Sequence, residues 1–98
     1  MNSLDFPLRP CWYVYVLKSC DRNWYYVGST GNLRRRLTEH ALGLVPSTKP
    51  YRPLTVAAYV AVNTVQKARS LEKYFKTGSG KAVLRKRILT DEAPSSGA

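Results

Sequence analysis

The sequence predicts an α+β fold, a small three-stranded antiparallel sheet flanked by helices in the order β-β-α-β-α-α. Three observations predict it. Two runs rich in aromatic and β-branched residues, 12–18 (WYVYVLK) and 24–29 (WYYVGS), are joined by a short polar turn at 19–23. A third run, Leu54–Val62 (LTVAAYVAV), carries no charge at all. The segments after the second and third runs place apolar residues at helical spacing, each behind a capping residue and ahead of a glycine. With 98 residues and 44% hydrophobic composition, the chain suffices for one domain around one core.

Each element follows from its residues. The short polar turn makes the first two runs an antiparallel hairpin. Alternation puts Tyr13, Tyr15 and Leu17 on one face of the first strand and Trp12, Val14 and Val16 on the other. Thr30 or Asn32 caps a helix over about 33–42, which Gly43 stops. Pro46, Pro50 and Pro53 make 45–53 a loop. The uncharged third strand reads as one covered on both faces. Asn63 or Thr64 caps a helix over about 65–76, the glycines of 78–80 end it, and 81–89 forms a last, basic helix. The folded unit is expected over 11–89, with flexible tails at 1–10 and 90–98.

Sixteen Lys and Arg against six Asp and Glu give a formal charge of +10. So cationic a small body implies a polyanionic partner, and the spread of the charge along the chain favours nucleic acid over a membrane surface. No apolar run reaches the roughly 20 residues of a membrane span, and the first residues lack a secretory pattern. A cytoplasmic protein is expected. Cys11 and Cys20, if they bound one extended strand, lie roughly 30 Å apart, too far for a disulfide. One histidine cannot build a zinc cluster.

Helical wheels place charges in unexpected positions. With Ala68 at about 0°, Val65, Leu71 and Phe75 define an apolar stripe, and Glu72 falls inside it near +40°. A carboxylate there needs a partner, either a salt bridge or a ligand. In the first helix, Leu33, Leu37, Ala41 and Leu44 form the stripe, with His40 and Arg36 along one border. Arg34 and Arg35 point outward. Tyr15 and Tyr26 sit mid-strand, where tyrosine ordinarily packs.

The ordered set Tyr13-Val14-Tyr15, Tyr26-Val27-Gly28, Leu33-Arg34-Arg35-Arg36-Leu37, Glu39-His40 and Leu71-Glu72 resembles the GIY-YIG nuclease superfamily over about 11–89. It looks closest to the short, single-domain YhbQ-like branch, which residues 47–53 and 74–81 also resemble. The resemblance implies metal-dependent hydrolysis of DNA phosphodiesters, in repair, recombination or processing. It makes Tyr15 and Tyr26 the motif tyrosines, Arg36 the phosphate-binding arginine, His40 an accessory group and Glu72 the ligand of one Mg²⁺ or Mn²⁺. Such a metal would stabilise the leaving oxygen while Arg36 holds the phosphate oxygens. Tyr15, Tyr26 and His40 all remain candidate bases. The chain departs from the family in having Tyr13 for the first motif's glycine, and Ser29 where several members carry lysine after the second motif. The lysine's absence weakens the phenolate route and shifts weight to His40.

Arg34, Arg35, Lys49, Arg52, Lys76, Lys81 and Arg85 are the expected DNA-backbone contacts. Selectivity should come from DNA structure (branched, nicked or single-stranded), since 98 residues hold no second domain for base readout. Gly78-Ser79-Gly80-Lys81 lacks the spacing of a phosphate loop and follows a helix, not a strand. Two rival readings are a non-catalytic nucleic-acid-binding module of the same fold and a protein-docking adaptor. Salt-sensitive DNA binding without product marks the first, and failure to bind DNA at low salt the second.

Overall fold

The computed structural model describes residues 11–90. The tails expected at 1–10 and 90–98 lie outside these residues, apart from Thr90. Strands β1 (Trp12–Ser19), β2 (Tyr25–Thr30) and β3 (Leu54–Val62) form one sheet in the order β2-β1-β3. Both pairings are antiparallel, with Tyr15 opposite Gly28 on one side and Tyr59 on the other. Helices α1 (Leu33–Ala41), α2 (Val65–Phe75) and α3 (Gly78–Val83) follow the expected order, and α3 runs on as a π-helical turn over Leu84–Ile88. The α+β architecture is the one the sequence predicts.

The hairpin sets the topology. Its short turn pairs β2 with β1, so β3 takes the other side of β1 and β1 becomes the central strand. Val14, Tyr15, Val16 and Leu17 are all buried in consequence. The sequence expectation for β3 is corrected here. It is an edge strand, and Val56, Tyr59 and Val60 are exposed. An uncharged run signals burial only when both faces and both neighbours are supplied, and β3 has one neighbour among the described residues.

Strand alternation then divides the interior into two sides. Val14, Val16 and Val27 pack against Ala68 and Phe75 of α2 and against Leu84, forming the main core. Burial of each large apolar side chain here stabilises the fold by about 1.5–3 kcal/mol. Tyr15 and Leu17 face the other way, toward α1 and the loop that follows it.

The caps match their residues, with two refinements. Asn32, not Thr30, caps α1, its Oδ1 accepting from the Arg35 N–H at 3.1 Å. Thr64 caps α2 through Lys67 N–H at 3.1 Å. Gly43 closes the first helix region with φ +77°, a left-handed conformation that glycine adopts without strain. The glycine run at 78–80 does not simply terminate α2. Thr77 accepts from the Gly80 N–H and caps α3, so the glycines form that helix's first turn. The loop expected at 45–53 contains a 3₁₀ turn, Lys49–Tyr51. Cys11 and Cys20 form no disulfide.

Leu84 is 0% exposed and Leu44 is 66% exposed. Leu84→Ala is expected to destabilise by about 2–5 kcal/mol. Leu44→Ala should change stability by no more than about 0.5 kcal/mol. Urea unfolding of both variants checks the pair.

Candidate active site

Tyr15 lies at the middle of the central strand, directly across from Gly28. Its ring covers that glycine. A Cβ at Gly28 would stand 2.5 Å from the Tyr15 Oη and 2.7 Å from Cζ, and 2.9 Å from the Tyr26 ring. The glycine of the second motif is therefore a flat seat for two phenols. Tyr26 is opposite Leu17, so it shares the face of Tyr15, and the two ring centroids are 6.3 Å apart.

The link from β2 to α1 is only Gly31 and Asn32, which lays α1 across this same face. Arg36 and His40, one helical turn apart, come down onto the tyrosines. His40 is 1% exposed, with its ring 5.5 Å from Tyr15 and 5.3 Å from Tyr26. His40 Nε2 is 2.9 Å from Tyr15 Oη, and its Nδ1 is 2.7 Å from the hydroxyl of buried Thr48. The expected stripe of α1 is corrected by this arrangement. His40 is its buried centre, while Ala41 and Leu44 are exposed. Periodicity ranks side chains by apolarity, and two hydrogen bonds make the imidazole the better interior group.

Electrostatics assign protonation. Burial pushes the Tyr15 phenol above its ordinary 10.0, against the pull of the Arg36 guanidinium beside it, and the Glu72 charge pushes the same way as burial. Tyr15 is thus a neutral phenol near pH 7. Burial, then the Arg36 charge, lowers the His40 pKa below 6.5, so its ring is neutral. Arg36 stays cationic and is held by Tyr15 and by Glu39, whose carboxylate is 3.0 Å away.

Glu72 comes from the opposite side of the sheet. Ser29 follows Gly28 and so points the other way, and its hydroxyl donates to Glu72 Oε1 at 2.6 Å. The structure thus groups Tyr15, Tyr26, Arg36 and His40 on one face and brings Glu72 to the other side of strand β2. Its charge is nevertheless felt at the Tyr15 phenol. Burial works to raise the Glu72 pKa, but hydrogen bonds from Lys76 and Ser29 outweigh it and hold the carboxyl ionised. Lys76 Nζ is 2.8 Å from Oε2 and is mostly exposed.

No cluster of three His, Cys, Asp or Glu exists among the described residues. A hard cation of the magnesium type does not need one, because it keeps several waters and takes one or two carboxylates. A half-buried, ionised Glu72 with the Ser29 oxygen beside it fits that donor set. The exposed Lys76 ammonium is the group such a cation would displace.

The expected DNA contacts divide by location. Lys76, Lys81 and Arg85 line a cleft of about 390 Å³ with Tyr25, Tyr26 and Val27, alongside strand β2. Arg34 and Arg35 are exposed on α1, Arg35 at 4.0 Å from Glu39. Lys49 and Arg52 lie on the loop after α1. Arg52 is exposed but turned inward, donating to the Ala41 carbonyl at 3.3 Å and to the Lys49 carbonyl at 3.3 Å.

Sequence reasoning missed or under-read five participants. Thr48 lies in a proline-rich loop without periodicity, so only the family likeness of residues 47–53 touched it. Trp24 and Tyr51 stack face to face, with centroids 3.8 Å apart and planes 4° apart, and clamp that loop to the hairpin. Glu39 was legible only as the i+3 neighbour of Arg36. Ser29 was noticed as a missing lysine, and the structure gives it a positive role on Glu72.

Two phenols on a glycine seat, with an arginine and a histidine from one helix, form one cluster, and a carboxylate lies across the strand. A family model described as the GIY-YIG catalytic domain matches residues 11–87. The chain belongs to the GIY-YIG family of nucleases, whose members generally depend on a divalent metal and act on DNA. No curated protein and no solved structure matched the chain. No described helix is long and apolar enough to cross a membrane.

Gly28→Ala is expected to unseat Tyr15 and to destabilise by about 1–3 kcal/mol through overpacking. Denaturant unfolding measures the loss, and the Tyr15 ring resonances should shift. Stability should also fall at mildly acid pH. The folded His40 binds its proton less readily than the unfolded one, so the unfolded chain takes up the proton first as pH drops. Stability therefore declines from about pH 6.5 downward until the lowered folded pKa is passed. Glu72, with its lowered pKa, stabilises the fold above its ordinary 4.5, and that contribution is lost only as pH falls below this value. Thermal melts across this window should show the decline in wild type and a flatter profile in His40→Gln.

Proposed function

We propose that the chain is a metal-dependent DNA endonuclease that hydrolyses phosphodiester bonds with selectivity for DNA structure. The observation that carries this reading is the Tyr15 hydroxyl held between His40 Nε2 at 2.9 Å and the Arg36 guanidinium, within electrostatic reach of Glu72. A neutral, buried imidazole is a ready proton acceptor, while the raised pKa of Tyr15 argues against a resting phenolate. This favours a relay over direct attack by a phenolate-activated water.

The relay runs as follows. Arg36 is planar, always charged and half-exposed, and an incoming phosphate draws it from Glu39 onto the phosphoryl oxygens. The Tyr15 hydroxyl, 1% exposed in the free protein, is opened to the attacking water by that movement. The water gives a proton to Tyr15 Oη as Tyr15 passes its own to His40 Nε2. The water oxygen bonds to phosphorus, the bond to the leaving 3′ oxygen breaks, and that oxygen takes a proton from solvent water. Arg36 stabilises the charge that gathers on the equatorial oxygens. Tyr26, half-buried beside both rings, orients the water or the scissile phosphate. Glu72, with Ser29 fixing its rotamer, would hold Mg²⁺ or Mn²⁺. The bound cation would supply Lewis-acid stabilisation of the leaving oxygen.

The cationic residues Lys76, Lys81 and Arg85 along β2, with Arg34 and Arg35 on α1, grip the backbone and carry no base readout. Branched, nicked or single-stranded DNA is the substrate class this favours, as in repair, recombination or processing. The second reading, a module that grips DNA without cutting, is favoured by one observation, the Lys76 ammonium resting on Glu72.

Cleavage of forked, nicked and single-stranded DNA with Mg²⁺ or Mn²⁺ tests the proposal. Arg36→Ala and Glu72→Ala are each expected to lose about 10²–10³ in rate, the scale of removing one charge-stabilising group. Equal rates in wild type and variants overturn it. Salt-sensitive binding without product under any condition establishes the second reading instead.

A further inference from the structure

His40 and Thr48 are 1% and 0% exposed, so water does not complete their hydrogen bonds. Each ring nitrogen of His40 has a single partner, Tyr15 Oη for Nε2 at 2.9 Å and Thr48 Oγ1 for Nδ1 at 2.7 Å. A neutral imidazole carries one N–H, and the rest of the network decides where it sits. Arg36 can only donate, and it lies against the Tyr15 hydroxyl. With that cation beside the oxygen and the Thr48 hydroxyl already donating to the Val45 carbonyl, the phenol's own proton goes to His40 Nε2. The imidazole proton is then on Nδ1, and Thr48 Oγ1 accepts it. The Thr48 hydroxyl sends its own proton to the Val45 carbonyl at 3.4 Å. Every proton has an acceptor in this arrangement. In the reverse one, an imidazole N–H and the Arg36 cation both face Tyr15 Oη, and the Thr48 hydroxyl must leave the Val45 carbonyl to donate to Nδ1.

We propose that Thr48 is a positioning residue, whose hydroxyl accepts the Nδ1–H of His40 and so leaves Nε2 bare and aimed at the Tyr15 phenol. Its catalytic consequence rests on the relay proposed above, while its geometry stands without it. When Tyr15 passes its proton to Nε2, the imidazolium has two N–H groups, one held by Tyr15 and the other by Thr48. The opposite tautomer would point an N–H at the phenol and could accept nothing from it.

The placement of Thr48 leaves its hydroxyl little freedom. Its N–H donates to Val45 at 3.1 Å and its carbonyl accepts from Tyr51 N–H at 2.9 Å. The stack of Tyr51 on Trp24 ties this turn to the hairpin. The Cys20 N–H bonds to the Pro53 carbonyl at 2.9 Å and ties down the loop's far end. The oxygen that selects the tautomer is thus presented by a loop clamped at two points to the turn beside β1 and β2.

The test uses the full chain with ¹⁵N-labelled histidine, in wild type, Thr48→Val and Thr48→Ser. Long-range ¹H–¹⁵N spectra distinguish a protonated ring nitrogen from a bare one. Wild type and Thr48→Ser are expected to show Nδ1 protonated and Nε2 bare. Thr48→Val keeps the shape and removes the oxygen, so its two nitrogen resonances should move toward one another. Cleavage in Thr48→Val should fall about tenfold or more, the scale seen when the outer partner of a working histidine is lost, and return in Thr48→Ser. A wild-type spectrum with Nε2 protonated overturns the proposal, and it does so even if Thr48→Val fails to fold. A folded Thr48→Val with the wild-type spectrum, or with undiminished cleavage, also overturns it. If wild type cuts no DNA, the hydrolytic reading falls, and the spectra still decide the role of Thr48.

Discussion

The contact between the Tyr15 phenol and the Cα of Gly28 governs the geometry of this molecule. It exists because antiparallel register sets the two residues opposite one another and because glycine presents no Cβ. The ring lies flat on β2, its hydroxyl reaches His40, and α1 is drawn down over the sheet by that hydrogen bond. Arg36, one turn earlier, then has no other place than beside the same hydroxyl. A helix and a hairpin are thus registered through a buried polar contact, where a lost partner would leave a desolvated donor or acceptor.

The division of labour between the two faces of the sheet follows from the same alternation. The apolar face built on Val14, Val16 and Val27 supplies stability through α2 and Leu84. The opposite face carries the aromatic and ionisable groups. Only Glu72 crosses between these roles, since it projects from the stabilising helix and is held by Ser29, the residue next to the glycine seat. Serine in that position fits the electrostatics of the site. A cation there would stand against the carboxylate, whereas a hydroxyl orients it without neutralising it. The depressed pKa of Glu72 keeps it anionic in either case, through Lys76 as well as Ser29.

Much of this was legible in the chain. The hairpin, the three strands and the caps came from local chemistry that tertiary contacts did not overrule. Glu72 was marked by a wheel, because its angle on a regular helix does not depend on what covers it. His40 was misjudged as a border residue because apolarity alone put Leu37 and Ala41 at the centre of the stripe. Its partners, Tyr15 and Thr48, are 25 and 8 residues away in sequence, and no periodicity reports them. Strand β3 was misread for a related reason. Its composition suits a central strand, but strand order depends on which neighbour the hairpin turn takes first. The stacking of Trp24 on Tyr51 joins two loops that share no pattern.

The outward edge of β3 has a physical consequence of its own. Among the described residues no strand pairs with the outer edge of this nine-residue run, which holds no charge and no proline and exposes Val56, Tyr59 and Val60. Such an edge invites sheet extension by another copy, and nothing within the strand discourages it. Opposing that pairing is the like sign of the whole body, a long-range repulsion from its +10 charge. Concentrated electrolyte shortens the reach of that repulsion to about 3 Å at 1 M. Any pairing of copies along this strand is therefore tied to ionic strength.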